Sequence, residues 1–310
     1  MNTEDLMKGA SEALKKAALN EDAKNFLLQN KALFTLLKKA ANRYIAGEEL
    51  TEVIGKVSTL NASKVSCTVD FMGESIRSIE EANQVTAEFL RLAREINRAQ
   101  LDCTISLDLS HIGLAIDQQL AIDNLQKICD EGPEVIISAE GTDRTEMVLN
   151  TYLEISKTFK NLGITLQAYL HRSENDLKEL LKREGKIRIV KGAFETAPGA
   201  SLSRGAPLND RYLGFVKTLL NHQHPCSIAT HDPIIQQGVS DLLNHLETPK
   251  NYEFESLLGI ENEALFQLSK QHPARIYLVY GKEWYLYLCN RLAEYPPSIF
   301  QAIIDVMAET

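Results

Sequence analysis

Beyond residue 64 the chain alternates between short apolar runs and longer segments with helical spacing. Each apolar run is rich in β-branched residues and is followed by a helical pattern, which predicts buried strands joined by helical crossovers. Parallel strands need such crossovers, because the end of one strand and the start of the next lie on opposite edges of the sheet. Eight runs are present, at residues 65–72, 103–109, 134–140, 164–170, 186–193, 226–231, 252–258 and 275–280.

Eight strand–helix units predict an α/β fold in which the sheet closes on itself. An open doubly wound sheet usually has fewer strands and a glycine-rich first turn, and neither GxGxxG nor GxxxxGK[ST] occurs in the chain. We therefore expect a (βα)8 barrel of the TIM type, in which the active site lies at the carboxyl ends of the strands.

The first 63 residues have a purely helical pattern. Apolar residues recur there at helical spacing, and no glycine or proline cluster interrupts them before Gly47. These apolar residues are Phe26, Leu27, Leu33, Phe34, Leu36 and Leu37. We predict an N-terminal helical arm over residues 1–63, followed by the barrel over residues 64–310.

Capping residues mark some of the helix starts. Ser78 and Glu81 have the spacing of a capping box, in which each side chain satisfies a free backbone N–H of the first helical turn. We also expect Asp143 and Ser173 to be N-caps, because their side-chain oxygens can accept from the same free N–H groups.

The composition is that of an ordinary globular chain of 310 residues, 44% hydrophobic and 24% charged. Lys and Arg number 33 against 42 Asp and Glu, which gives a formal net charge of −9. This acidic balance argues against broad nucleic-acid binding, which needs a basic surface, but it allows a small anionic ligand held by a few arginines.

The cysteines and histidines lack the spacing of a disulfide framework or a metal site. Five cysteines are an odd number without a C-x-x-C pair, and the pair His222 and His224 has no carboxylate or thiol at ligand spacing. The N-terminus does not resemble a signal peptide, and no apolar run approaches the roughly 20 residues of a membrane helix. We expect no metal, and a protein that is cytoplasmic or peripheral to the inner membrane.

Polar residues at the predicted strand ends are the candidates for chemistry. A charged side chain in an apolar strand is costly unless it is paired or functional. The candidates are Asp70, Glu74, Asp108, His111, Ser138, Glu140, Gln167, His171, Arg188, Lys191, Thr230, His231, Asp232, Glu253, Glu255, Tyr277 and Tyr280.

Lys191 stands out among them, because it lies inside the apolar run 186–193. Three interpretations stay open: an ion pair with a carboxylate of a neighbouring strand, a Schiff-base lysine that attacks a carbonyl group, or a lysine that stabilises an anionic cofactor together with Arg188. Arg188 and Lys191 lie on opposite faces of a regular strand, so the last interpretation requires a bulge or the end of the strand between them.

Several segments, in order along the chain, resemble signature segments of the proline dehydrogenase family. They are LQAYLHR (166–172), IRIVKGAF (187–194), ATHD (229–232), YEFESLLGI (252–260) and RIYLVYGKEWYLYLCNRLAE (275–294), with NRYIAGE (42–48), FMGE (71–74) and AEGTDRT (139–145) more weakly so. The resemblance implies a (βα)8 barrel that binds FAD.

The resemblance also implies a set of cofactor-binding residues. They are Gln167 and Arg188 at the flavin ring, Lys191 on the isoalloxazine side, Gly192 and Ala193 where backbone lies against the cofactor, Ala229, Thr230 and His231 at the phosphate and ribose, and Glu294. Cationic and donor groups beside a flavin stabilise the negative charge that the ring gains on reduction.

On the substrate side the chain departs from the family pattern. Asp108 stands where the family has Lys, and Ser138 where it has Asp. Asn290 replaces the first of two consecutive arginines that hold a carboxylate, so the family partner of that arginine, matching Glu74, has lost its counterpart. Phe194 and Glu255 also replace the usual Tyr and Gln.

Leu257, Tyr277 and Arg291 do match family positions that contact the substrate. The resemblance therefore implies a FAD-dependent oxidoreductase that oxidises L-proline to Δ1-pyrroline-5-carboxylate by hydride transfer to flavin N5, with a quinone as electron acceptor. Arg188, Lys191, Tyr277 and Arg291 would carry the catalysis.

Asp108 can repel a carboxylate, which leaves other substrates open. One alternative is a FAD-dependent dehydrogenase of a different cyclic or secondary amine. Others are a flavin-binding barrel without proline turnover and a Schiff-base lyase that uses Lys191.

Overall fold

A computed structural model describes residues 3–73, 76–246 and 250–307, and at its centre eight parallel strands form a closed barrel. Each strand pairs with its sequence neighbours, and the first strand closes the barrel against the last. The strands are β1 (Ser66–Phe71), β2 (Cys103–Leu107), β3 (Val135–Ile137), β4 (Leu162–Gln167), β5 (Ile187–Val190), β6 (Cys226–Ala229), β7 (Tyr252–Leu257) and β8 (Ala274–Tyr280). Each of the eight predicted runs overlaps a strand, although β4 begins two residues and β8 one residue before its run, and the predicted (βα)8 barrel is confirmed.

Helices surround the barrel and precede it. In the described part of the chain they are α1 (Thr3–Ala18), α2 (Glu21–Gln29), α3 (Lys31–Ala41), α4 (Leu50–Ala62), α5 (Ile79–Ala99), α6 (Gln118–Asp130), α7 (Thr145–Ile155), α8 (Ser173–Leu180), α9 (Ala206–Asn221), α10 (Pro233–Asn244), α11 (Asn262–Leu268), α12 (Trp284–Glu294) and α13 (Ser298–Met307). Helices α5 to α11 each join one strand to the next, and α12 and α13 follow β8.

Side chains alternate along each strand between an apolar outer face and a more polar interior. Val69, Ile105 and Ile189 are fully buried in the main hydrophobic core, which also includes residues of the surrounding helices. Hydrogen bonds also join strands that are not neighbours, among them Arg188 with Ser106, Thr68 with Glu255 and Tyr277 with Ser106. Bonds of this kind can only cross the interior, so the barrel lumen contains charged and hydroxyl groups.

Of the three predicted helix caps, one is confirmed. Ser78 caps α5 and forms the complete capping box with Glu81. The prediction for Asp143 was wrong, because α7 begins one residue later and its N-cap position is Arg144. The prediction for Ser173 was also wrong: Ser173 is already helical, and its hydroxyl donates to the carbonyl of Gln167 at 2.6 Å.

The predicted helical arm consists of four helices separated by short breaks. Asn20 and Asn30 cap α2 and α3 with their side chains, so these polar residues end one helix and start the next. Helix α3 packs on α12 and α13, where the ring of Phe34 meets that of Trp284 edge-on at 5.4 Å. Helix α4 contributes to the barrel core instead. We propose residues 1–63 as the arm and 64–310 as the barrel, with α4 as the part of the arm that packs into the barrel core.

The amino ends of the strands carry a network of ion pairs. Glu253, predicted among the residues of the active-site end, lies near the start of β7, and that prediction was wrong. Its carboxylate binds Lys186 at 2.9 Å and Arg275 at 2.8 Å, residues that precede β5 and begin β8. The register of the strands therefore puts Glu253 at the opposite end of the barrel from the carboxyl-end loops, with a structural role.

Candidate active site

A cavity of about 460 Å³ opens at the carboxyl ends of the strands. This is the end of a parallel barrel where the loops that follow the strands form active sites. Thirteen of the sequence-predicted candidate residues line it: Asp70, Asp108, His111, Ser138, Arg188, Ala229, Thr230, His231, Glu255, Leu257, Tyr277, Asn290 and Arg291.

Arg188 lies at the base of this cavity and is only 4% exposed. Its Nε donates to the hydroxyl of Thr165 at 3.0 Å, and its Nη2 donates to those of Ser106 and Ser138 at 3.0 and 3.2 Å. Its Nη1 is buried and has no hydrogen-bond partner among the described residues. A buried guanidinium with a free donor is poised to bind an acceptor atom of a ligand.

Glu255 is the buried counter-charge of Arg188. Its carboxylate lies 3.9 Å from Nη1 of Arg188, and its side chain is 2% exposed. Thr68 donates to one of its oxygens at 2.7 Å, and Ser227 donates to the other. The sequence placed Glu255 among the polar strand-end residues and among the departures from the family pattern on the substrate side, but its pairing with Arg188 follows only from the folded barrel, which brings β7 near β5.

Tyr277 joins the arginine to the acidic side of the cavity. Its ring lies under the guanidinium of Arg188, with the central carbon 5.0 Å from the ring centre. Its hydroxyl donates to Oδ2 of Asp70 at 2.6 Å and lies 3.1 Å from the hydroxyl of Ser106. Burial and the nearby Asp70 carboxylate raise the pKa of Tyr277 well above its ordinary value, so the phenol remains a donor.

Asp70 and Asp108 form an acidic side of the same cavity. Burial and the neighbouring Asp108 raise the pKa of Asp70 to about 8. Burial, with Glu140 adding to it and His111 opposing it, also raises the pKa of Asp108. The Oδ1 atom of Asp70 is buried, and within the described ranges no group donates to it.

The loop after β6 supplies a neutral histidine. Nε2 of His231 accepts a hydrogen bond from the backbone N–H of Leu257 at 2.9 Å, which defines the neutral tautomer there. Burial and the positive charge of Arg291 lower the pKa of His231 to about 4. Thr230 accepts from the backbone N–H of Asp232 at 3.1 Å, so part of its hydroxyl is used within the loop.

Arg291 and Asn290 reach the cavity from α12. Arg291 donates to Glu294 at 2.5 Å, and its guanidinium carbon lies 5.1 Å from the ring centre of Tyr287. Its Nε is buried and lacks a hydrogen-bond partner within the described residues. Asn290 is exposed at the cavity wall. Glu74, which the sequence relates to this region, lies outside the described residues.

Lys191 lies just beyond the end of β5 and is not a lining residue of the cavity. Its ammonium forms an ion pair with Asp232 and donates to Asn209 of α9 at 2.8 Å. Of the three interpretations of Lys191, the structure shows the ion pair with a carboxylate next to a neighbouring strand. Arg188 lines the cavity, whereas Lys191 contacts α9 and the loop after β6, so the two side chains lie on different faces, as expected.

Four other residues predicted to bind the cofactor also lie outside the lining set: Gln167, Gly192, Ala193 and Glu294. Gln167 is buried, and its amide lies 3.4 Å from the carbonyl of Glu140. Gly192 has a φ of +107°, and an added Cβ would come within 2.1 Å of the Tyr169 ring. The group that closely approaches Gly192 here is therefore Tyr169.

Asp70, which the prediction placed only among polar strand-end positions, and Glu255, which it also named as a departure from the family pattern on the substrate side, both line the cavity. A signal was present, because both are acidic residues within apolar strands. The signal for Ser106 was weaker, since serine is common in strands of many kinds.

Among the described residues no group of three or more His, Cys, Asp or Glu side chains could hold a metal ion. In that same part of the chain, no helix has the length and apolar character needed to cross a bilayer.

A closed parallel barrel with a buried arginine, an acidic pair and a tyrosine at its carboxyl end defines a TIM-barrel enzyme. A profile of the proline dehydrogenase family matches residues 53–295. Proline dehydrogenase 1 of Bacillus subtilis subsp. natto is 32% identical over 286 residues, covering 88% of this chain and 94% of that protein. Proline dehydrogenase of Deinococcus radiodurans is 28% identical over 267 residues, covering 83% and 86%.

Among solved structures, proline utilization A from Bdellovibrio bacteriovorus has a TM-score of 0.77 at 19% identity. The similarity covers 91% of this chain but only 37% of that much longer chain, and it concerns the fold. The chain belongs to the proline dehydrogenase family, a family of oxidoreductases that act on CH–NH bonds.

Proposed function

We propose that this protein is a FAD-dependent oxidoreductase that oxidises L-proline to Δ1-pyrroline-5-carboxylate. The observation that carries the proposal is Arg188, a buried arginine that lines the cavity at the carboxyl end of the barrel and whose Nη1 has no hydrogen-bond partner among the described residues. A flavin ring offers acceptor atoms to such a donor, and the positive charge of Arg188 favours the reduced ring.

The residues present fit a flavin at this end of the barrel. Ala229, Thr230 and His231 line the cavity next to Arg188, and small and neutral side chains of this kind leave room for a flat ring. Gln167, Lys191, Gly192, Ala193 and Glu294 complete the proposed FAD site by resemblance to the family. Bound FAD supplies a two-electron acceptor, and flavin N5 is the proposed hydride acceptor.

The substrate is proposed to lie between the flavin and α12. Arg291 has a free buried Nε that can donate to a carboxylate, while Tyr277 and Leu257 line the space for a ring. The ring nitrogen must lose a proton as its neighbouring carbon loses a hydride. Asp70 accepts a hydrogen bond from Tyr277 and is the proposed proton acceptor. Because its pKa is raised to about 8, its carboxylate form, which can take up the proton, becomes more populated as the pH rises toward 8.

A quinone is the proposed oxidant that returns the flavin to its oxidised state. We propose that the protein is cytoplasmic or lies against the inner membrane.

A second candidate function is oxidation of a different cyclic or secondary amine. Asp108 favours it, because a carboxylate in the cavity repels the carboxylate of an amino acid and attracts a nitrogen cation.

An anaerobic titration with L-proline tests the proposal. The purified protein should be yellow, and L-proline should bleach the flavin absorbance with formation of the cyclic imine. Bleaching by other amines but not by L-proline would select the second candidate. A flavin that no amine bleaches would leave a flavin-binding barrel without turnover, and a colourless protein would contradict both proposals.

A further inference from the structure

A continuous row of hydroxyl groups joins Asp70 to Asp108 across the base of the cavity. The hydroxyl of Tyr277 lies 2.6 Å from Oδ2 of Asp70 and 3.1 Å from the hydroxyl of Ser106. The hydroxyls of Ser106 and Ser138 are 2.8 Å apart, and either of them can be the donor. Ser138 in turn forms a hydrogen bond with the carboxyl group of Asp108. We call Tyr277, Ser106 and Ser138 the hydroxyl row, and the two aspartates are its ends.

Arg188 restricts the directions in which the two serine hydroxyls can point. Its Nη2 donates to the hydroxyls of Ser106 and Ser138 at 3.0 and 3.2 Å, and a guanidinium group neither accepts a hydrogen bond nor loses its protons. A hydroxyl has one hydrogen and two lone pairs, so Arg188 leaves each serine with one hydrogen and one lone pair. To keep both of its remaining hydrogen bonds, each serine must donate to one neighbour in the row and accept from the other.

The number of hydrogens in the hydroxyl row determines how many protons its ends hold. Four hydrogen bonds connect Asp70 to Asp108 through the row, but the three hydroxyl groups supply only three hydrogens. One carboxyl group must supply the fourth: either Asp70 is protonated and every hydroxyl points toward Asp108, or the reverse. A second proton would leave one hydrogen without a bond in the row. The row is therefore complete when its two ends share a single proton.

The surroundings of both carboxyl groups favour this shared proton. Burial raises the pKa of Asp70 to about 8, and the neighbouring Asp108 adds to the effect. Burial also raises the pKa of Asp108. The charged and titratable groups that face the two ends are Arg188, Tyr277, Tyr280 and Tyr287 around Asp70, and Arg188, His111 and Glu140 around Asp108. Near neutral pH the two carboxyl groups thus retain a proton between them.

The two ends of the row differ in their access to solvent. Oδ1 of Asp70 is buried, and Asp70 lies beside Tyr277 at the proposed substrate site. The side chain of Asp108, in contrast, is 30% exposed. When all three hydroxyls reverse together, a proton taken up at the buried end appears at the exposed end, although each hydrogen moves only along its own hydrogen bond.

We propose that the hydroxyl row is a proton relay, which carries the proton released by the substrate nitrogen from Asp70 to Asp108 and from there to solvent. The inference rests on the proposed amine oxidation and adds the route of its proton. Among the described residues, Ser106 bonds to Tyr277, Ser138 and Arg188 rather than to either carboxyl group, and it does not line the cavity. Ser106 therefore acts on the reaction through the row and is a positioning residue.

The relay explains how a carboxyl group with a raised pKa accepts a proton at neutral pH. With the shared proton on Asp108, Asp70 is a carboxylate and takes the N–H proton, while the adjacent ring carbon gives its hydride to the oxidised flavin. A C–H and an N–H bond break, and a C=N bond forms. Asp108 releases its proton to solvent, and the row then reverses: Asp70 gives a proton to Tyr277, each hydroxyl passes its own hydrogen on, and Asp108 is protonated again. One proton reaches solvent for each hydride transferred.

The first test needs no substrate. Infrared spectroscopy of the purified flavoprotein follows the C=O stretch of protonated carboxyl groups as the pH is raised. Ser106→Ala interrupts the row at its centre, so that Tyr277 donates to Asp70 and Ser138 donates to Asp108 while both are charged. The last proton of the pair should therefore leave at a pH about one unit lower than in the wild type, which is the value of one hydrogen bond.

The second test follows the proton during the reaction. Anaerobic stopped-flow mixing with L-proline records flavin bleaching, while a pH indicator dye in weakly buffered solution records proton release. In the wild type both signals should have the same rate. In Ser106→Ala the proton should appear at least about ten-fold more slowly than the flavin bleaches, because a positioned proton transfer contributes at least this much. If Ser106→Ala fails to fold by circular dichroism, Ser138→Ala takes its place with the same expected delay.

Ser240→Ala is the matched control for both tests. The hydroxyl of Ser240 on α10 donates to the carbonyl of Gln236 at 2.9 Å, and Ser240 lies outside the cavity lining. This variant loses a hydroxyl of the same kind, but it should titrate and release its proton as the wild type does. Asp70→Asn identifies the part of the infrared signal that belongs to the pair.

The outcomes separate the relay from the oxidation. A titration midpoint in Ser106→Ala equal to that of Ser240→Ala, or proton release at the same rate as bleaching in Ser106→Ala, would overturn the relay while leaving amine oxidation intact. If L-proline does not bleach the flavin, the oxidation fails, and the infrared titration still decides the row: a lowered midpoint supports the shared proton, and an unchanged one refutes it.

Discussion

The hydroxyl of Tyr277 on β8 donates to Oδ2 of Asp70 on β1 at 2.6 Å, across the seam where the barrel closes. The same tyrosine ring lies under the guanidinium of Arg188. The Tyr277 side chain thus contacts both the arginine and the acidic side of the cavity. A substitution of Asp70 or of Arg188 therefore changes the contacts that hold Tyr277 in place.

The first prediction concerns Asp70 and pH. Its pKa is raised from 3.8 to about 8, so the folded protein binds a proton between those values that the unfolded chain has released. The contribution of Asp70 to stability therefore falls as pH rises from about 4 through 8. Asp70→Asn should remove this decline and raise the Tm by a few degrees at pH 9 but not at pH 4, measured by thermal unfolding. Parallel Tm curves for both proteins would contradict it.

A second prediction concerns Asn290. Placing a guanidinium at this exposed position of the cavity wall should add one charge-assisted contact to a carboxylate. Asn290→Arg is expected to lower the KM for L-proline by about ten-fold, the lower part of the range for bonds to charged groups. Steady-state kinetics checks this, with Asn290→Gln as the neutral control. Wild-type saturation at concentrations as low as those of the variant would disprove the prediction.

The third prediction concerns Glu255 and Arg188. Glu255→Gln removes the buried negative charge that lies 3.9 Å from Nη1 of Arg188. The site then becomes more positive, which favours reduced flavin, so its reduction potential should rise by tens of millivolts. Spectroelectrochemistry of the flavoprotein measures this. Glu263→Gln, a change on the surface helix α11, should leave the potential unchanged. Equal potentials for both variants would show that Glu255 has no such influence.

A fourth prediction concerns the chemistry of Lys191. Its ammonium is paired with Asp232 and lies outside the cavity lining, so it is a poor nucleophile toward a ligand bound there. Borohydride together with a carbonyl compound should leave Lys191 unlabelled, as read by peptide mass spectrometry. Labelling that disappears in Lys191→Arg would instead support the Schiff-base lyase.

The last prediction concerns the helical arm. Trp284 begins α12, is 1% exposed, and packs against Phe34 of α3. Trp284→Ala should lower the free energy of unfolding by about 3–5 kcal/mol, as for other large buried aromatic residues. Phe34→Ala should lower it less, because the Phe34 side chain is smaller and only partly buried. Because α12 also carries Asn290 and Arg291, the KM for L-proline should rise in both variants. Urea unfolding and steady-state kinetics check the two effects.

The sequence by itself determined the barrel, its eight strands and the polar character of the cavity. Local patterns suffice for this, since an apolar β-branched run followed by a helical stretch forms the same unit wherever it occurs. The strand-end pattern already included Arg188 and Tyr277, and the family motifs in order along the chain added Arg291; all three line the cavity.

Only the tertiary structure decided which polar residues meet. Glu253 and Glu255 are two residues apart on β7, yet one joins the ion pairs at the amino end while the other faces Arg188. Lys191 follows Arg188 by three residues but turns outward to Asp232. The stagger between neighbouring strands fixes the height of each side chain in the lumen, and closure brings non-neighbouring strands opposite one another. Neither property is encoded in the spacing of residues within one strand, so the acidic pair and the buried counter-charge of Arg188 became visible only in the closed barrel.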